Sequence, residues 1–119
     1  MIQNEIKIST DYLNTSYDEA LAIYRMLAIR KSDTFNSDVA LTLNNQANLH
    51  AENQYLDKAE QEYIEALEIC RRLAEKSLEA FESDMAAMLN NLANLHSDTQ
   101  RFNEAGQELE ETIQKLLNE

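Results

Sequence analysis

Proline is absent from the 119 residues, and glycine and cysteine occur once each. Hairpins and bulges need residues that accept positive φ, so strands are hard to connect in such a chain. A single Cys70 excludes an internal disulfide and fits a reducing compartment. Basic residues are few: ten Lys and Arg against twenty-two Asp and Glu leave a formal charge of −12. That surface repels polyanions, which disfavours nucleic acid and anionic lipid as partners. No apolar run approaches the roughly 18 residues of a membrane span. The opening MIQNEIKIST lacks the basic-then-apolar pattern of a signal region. A soluble, cytoplasmic, all-α protein is expected, with basic or neutral partners.

What is abundant is Ala, Leu, Glu and Gln, and their order repeats. Leu43–His50 (LNNQANLH) recurs as Leu89–His96 (LNNLANLH), an offset of 46 residues. At the same offset Tyr17 through Leu21 matches Tyr63 through Leu67. Phe35, Ser37, Asp38 and Ala40 match Phe81, Ser83, Asp84 and Ala86. Ala59, Gln61 and Glu62 match Ala105, Gln107 and Glu108. Roughly two in five residues of 17–73 are identical to those of 63–119 without a gap, so the chain is a repeat array.

Within each unit the apolar period is helical. Ala40, Leu43, Ala47 and His50 step by three or four, as do Ala86, Leu89, Ala93 and His96. Ser37 and Ser83 stand where N-caps belong, each followed by Asp. A second stripe follows: Leu56, Ala59, Tyr63, Ala66, Leu67, Cys70, Leu73 and Ala74, then Phe102, Ala105, Leu109, Thr112, Ile113 and Leu116. The polar connections Glu52–Tyr55 and Asp98–Arg101 are short, which predicts an antiparallel hairpin at each. Five helices are expected, at about 10–31, 38–52, 56–78, 84–97 and 102–118, the first capped by Ser9 or Thr10. The implied organisation is a tail over 1–9, a half repeat over 10–36, and repeats over 37–82 and 83–119. Mid-helix Ala47, Ala59, Ala66 and Ala20, with the copies Ala93 and Ala105, would let neighbouring helices approach closely.

These residues resemble the tetratricopeptide repeat, whose pattern W-x2-L-G-x2-Y followed by A-x3-F maps onto Leu43, Gln46, Ala47, His50, Ala59 and Tyr63, and again onto Leu89, Leu92, Ala93, His96, Ala105 and Leu109. The LNNLA core and long period look most like the kinesin-light-chain subclass. The usual period is 34 residues, and the extra dozen here is expected to lengthen the second helix of each unit. The Gly between a unit's helices is replaced by Gln54 and Gln100, and the closing Pro near Arg71 is missing. The resemblance implies an α-solenoid of helix hairpins, a right-handed superhelix, acting as a non-enzymatic protein-binding scaffold without a cofactor.

In that family the first helix of each pair lines a concave groove. Carried over by position, the peptide-binding candidates are Asn44, Asn48 and Glu52, then Asn90, Asn94 and Asp98, flanked by Leu41, Ala51, Ala87 and Ser97. Carboxamides offer donors and an acceptor, so a ladder of them can pair with the backbone of a peptide or helix regardless of its sequence. Asn is a poor helix former, so its density here asks for an explanation. Asn45 and Asn91, one residue round, are expected from the resemblance to bond a neighbouring loop or helix end. His50 and His96 repeat in register, yet no other ligand shares their faces at metal spacing. Cys70 lies on an apolar stripe, as a core residue would, and no acid, base and nucleophile constellation is found. The ends raise a second expectation. Residues 10–31 form half a unit, and the last helix carries Leu109, Ile113, Leu116 and Leu117 with nothing beyond to cover them. Uncapped arrays leave such faces open, so the chain is expected to be a fragment of a longer array or a homodimer, formed through exchange of the N-terminal helix.

Overall fold

A computed structural model describes residues 2–118, with side chains described for 11–31 and 34–118. The described residues form four helices: α1 (Ile2–Arg30), α2 (Ser32–Glu52), α3 (Leu56–Lys76) and α4 (Leu78–Leu117). Helix α1 runs from Ile2 through the segment where a tail was expected, and Ser9 and Thr10 lie inside it.

The helices stack in chain order, α1 on α2, α2 on α3 and α3 on α4, as an α-solenoid requires. One buried cluster joins Val39, Ala40 and Leu43 of α2 to Ala66, Leu67, Ile69, Cys70 and Leu73 of α3 and Met88 of α4. Leu21, Tyr24 and Ala28 of α1 pack against it. A second cluster holds Ala47, Ala59, Tyr63 and Leu95. Ala47, Ala59 and Ala66 are fully buried, and the stripe predicted from Ala59 to Ala74 is the buried face of α3. That amphipathic face sets where α3 sits.

The α2–α3 turn shows how the first hairpin closes. Asn53 caps α2 by donating from Nδ2 to the Leu49 carbonyl at 2.8 Å. The Gln54 amide bonds Ala51 O, and the Tyr55 amide bonds His50 O. This is a Schellman arrangement, with Gln54 in the left-handed region at φ 67° where Gly is usual.

Three expectations are corrected. First, the described residues form four helices because the second hairpin does not form: 84–97 and 102–117 are parts of the 40-residue α4. At Thr99–Arg101, the copies of Asn53–Tyr55, the side chains bond along the helix instead of ending it. Thr99 Oγ1 donates to Leu95 O at 2.9 Å, Arg101 to Ser97 Oγ at 3.2 Å and Gln100 to Glu104 at 3.1 Å. With no Gly or Pro there, helical propagation continues. Second, Ser37 and Ser83 are helix-interior residues, not caps. Helices α2 and α4 begin about one and a half turns earlier, and Ser37 Oγ reaches back to Thr34 O. Polar residues at 32–37 tolerate helix, and nothing there breaks it. Third, the extra length of the unit therefore lengthens its first helix as well as its second.

The joints keep the 46-residue period. Lys31 (φ −140°, ψ 74°) breaks α1 from α2, and its copy Ser77 (φ −150°, ψ 84°) breaks α3 from α4. The structural unit thus runs from joint to joint.

Candidate functional site

Helices α2 and α4 flank a cleft of about 250 Å³ with Tyr63 and Leu95 at its base. Its lining contains Asn48, Glu52, Asn94 and Asp98, four of the six groove residues named from sequence, with the flanking Ala51. Within each helix these residues are four apart, so each pair shares one face. Asn48 Oδ1 accepts a hydrogen bond from the Tyr63 hydroxyl, which fixes the carboxamide's orientation. Glu52, Asn94 and Asp98 are exposed and free to meet a ligand. Arg101 sits 3.9 Å from Asp98 in a loose, exposed ion pair. A wider hollow shares Ala51 and Asp98 and continues past Gln54, Leu56, Arg101 and Phe102.

The remaining candidates lie elsewhere. Asn44 is half-buried and accepts from Asn91 Nδ2 at 3.2 Å, tying α2 to α4. Asn90 is exposed and outside the cleft lining. Leu41 and Ala87 are exposed and do not line it either, and Ser97 accepts from Arg101. Asn91, expected to bond a neighbouring loop or helix end, instead donates to the Asn44 side chain in the middle of α2, and it also lines the cleft. Tyr63 was missed as a site residue because its stripe read as core, and Leu95 because it belongs to none of the stripes. The clue was the register: Tyr63 faces the helix that carries Asn48.

The cleft is acidic. Burial pushes the Tyr63 phenol above its ordinary range, and the charges of Glu52 and Glu62 add to the effect. The hydroxyl therefore stays a neutral donor, and Glu52 and Asp98 give the site its sign.

On the other side of α2 is a polar seam that sequence reasoning did not find. Gln46 Nε2 donates to Asp18 and, at 3.3 Å, to Asn14 of α1. His50 is buried, its Nε2 3.0 Å from Asn14 Oδ1 and its Nδ1 against Glu62 of α3. One imidazole thus binds three helices, and a hollow of about 280 Å³ opens beside it between Asp11, Tyr55 and Lys58. Burial raises the Glu62 carboxyl, with His50 opposing that rise. Cys70 is buried among apolar residues, and burial lifts its thiol, with Asp84 adding to the shift. Such a thiol is a packing group and a poor nucleophile.

A family model described as tetratricopeptide repeat matches residues 39–77 and 85–116, more than half of the chain. The chain belongs to the tetratricopeptide repeat family. Repeats of this family are non-enzymatic and bind protein partners. No curated protein and no solved structure matches the chain significantly. No helix among the described residues is long and apolar enough to cross a membrane.

Proposed function

We propose that this protein is a cytoplasmic, kinesin-light-chain-like scaffold that captures a peptide or helix carrying a basic side chain in the α2–α4 cleft. The supporting observation is that residues 46 apart in sequence, Asn48 with Asn94 and Glu52 with Asp98, converge on one hollow. Asn48 and Asn94 pair with ligand backbone, while Glu52 and Asp98 meet the cation. Two units offer little area, so affinity is modest.

A displayed peptide library selected on the full chain tests this. Enriched peptides carry Lys or Arg, and Asn94→Ala with Asp98→Ala weakens the best of them by about 10-fold or more, as loss of central contacts does. Asn90→Ala, outside the cleft, leaves binding unchanged. Equal binding to the Asn94/Asp98 variant overturns the reading.

A second reading, self-assembly, is favoured by the open apolar surfaces of the outer helices: Ile23, Met26 and Ile29 on α1, and Phe102, Leu109, Ile113 and Leu116 on α4. Such surface marks an interaction site.

A further inference from the structure

The seam between α2 and α3 has a second copy, and its two halves lie on the two outer helices of the stack. In the seam itself Ala40, Leu43, Ala47 and His50 of α2 are at most 4% exposed. Tyr63, Ala66, Ile69 and Leu73 of α3, which share their buried clusters, are at most 7% exposed. Forty-six residues after the first set stand Ala86, Leu89, Ala93 and His96 of α4, identical in type and all exposed. Forty-six residues before the second set stand Tyr17, Ala20, Ile23 and Leu27 of α1, again identical in type. Ile23 is 58% exposed, and the other three are partly so. Helix α1 turns a different side to α2: Asn14 bonds His50, while Tyr24 and Ala28 pack on the cluster that holds Leu43. Helix α4 runs straight where α2 reverses, so no returning helix covers its half.

The register of the seam says which residues would meet. His50 meets Glu62 and Asn48 meets Tyr63, so residues opposed across it are nearly equidistant from Leu56. Moving the α2 half on by 46 residues and the α3 half back by 46 keeps that rule. It sets Leu89 of one chain opposite Ile23 of another, as Leu43 is set opposite Ile69. A hollow of about 230 Å³ lies at that point of α1, lined by Ile23, Met26, Leu27 and Arg30. Leu89, 45% exposed, is the apolar side chain that the register delivers to it. Further along, His96 meets Ser16 where His50 meets Glu62. A hydroxyl there removes one carboxylate from a joint between chains that each carry −12.

We propose that copies of this chain associate head to tail, the Tyr17, Ala20, Ile23 and Leu27 face of α1 in one chain packing antiparallel on the Ala86, Leu89, Ala93 and His96 face of α4 in the next. A second copy is the occupant because it carries the side chains that already cover this face inside the fold. The joined faces differ, so the contact is heterologous and each added chain leaves one of each kind open. This specifies the self-assembly reading above. Ile23 and Leu89 lie outside the peptide cleft, so capture and assembly fail separately.

The test uses the full chain from micromolar concentration upward. The mass from sedimentation equilibrium rises with concentration past twice the monomer mass of 13.7 kDa. Ile23→Asp and Leu89→Asp each spoil one face at an exposed position, keep the parent's helicity and weaken association by about 100-fold or more. Mixed one to one, the two variants form a dimer and nothing larger, since the first keeps its α4 face and the second its α1 face. As a second measurement, Ile23→Cys mixed with Leu89→Cys gives a covalent dimer with a short bifunctional maleimide, and neither alone does; Cys70 is buried out of its reach. Assembly that persists in either Asp variant, or a Cys mixture that does not crosslink, overturns the head-to-tail joint while leaving self-assembly standing. A parent chain that is monomeric at all concentrations overturns both.

Discussion

His50 and its copy His96 carry the same sequence context and hold opposite positions. His50 is enclosed by Asn14, Glu62 and the ring edge of Tyr55, its centroid 6.0 Å away. His96 stands in solvent because its hairpin is open. The pairing of Glu62 with His50 makes a pH dependence that can be isolated. Burial raises the Glu62 carboxyl above 4.5, so the folded chain keeps that proton to higher pH than the unfolded one. This contribution is full below 4.5 and is lost as pH climbs through the raised value. Glu62→Gln retains an acceptor for His50 and has no proton to lose. Its melting temperature, measured against pH from 5 upward (about half a unit above the ordinary carboxyl value), falls less steeply than that of the parent chain.

At the scale of the helix, the contrast lies between two turns of the same ancestry. Asn53 ends α2, and Gln54 accepts a left-handed conformation that costs an L-residue about 1 kcal/mol. Gln54→Gly removes that strain and raises stability by about 0.5–1 kcal/mol in urea unfolding. Gln100→Gly acts in the opposite direction. Its residue is helical, so the change costs α4 about 1 kcal/mol. It also frees the chain to fold back, so the second hairpin closes on itself and small-angle scattering shows a shorter particle. One substitution at two equivalent positions thus separates a turn from a helix.

Over the whole molecule, the open second unit governs shape. The Cα radius of gyration is 18.4 Å and the extents are 65 × 35 × 20 Å. A compact chain of this length has a radius of about 13–14 Å. The excess comes from α4, whose 40 residues span about 60 Å at 1.5 Å each. Self-association brings together chains that each carry −12, so their mutual repulsion opposes it. Raising sodium chloride from about 50 to 500 mM screens that repulsion and tightens association, as sedimentation across the range shows. An interface held by ion pairs would weaken instead.

Helix content, the 46-residue period, the family and the buried stripe of α3 were legible in the residues alone, because each depends on local propensity and on apolar spacing. Four of the six candidates named from sequence line one cleft, because repeat register places equivalent side chains on equivalent faces. The two-fold choice at each connection was not. Thr99–Arg101 and Asn53–Tyr55 are both short and polar, and side-chain bonds along α4 against a capped, ring-packed turn decide which one reverses the chain. Nor could spacing place Tyr63 at the base of the cleft, or Asn14, His50 and Glu62 in one network, since those groups come from three helices and meet only once the helices pack.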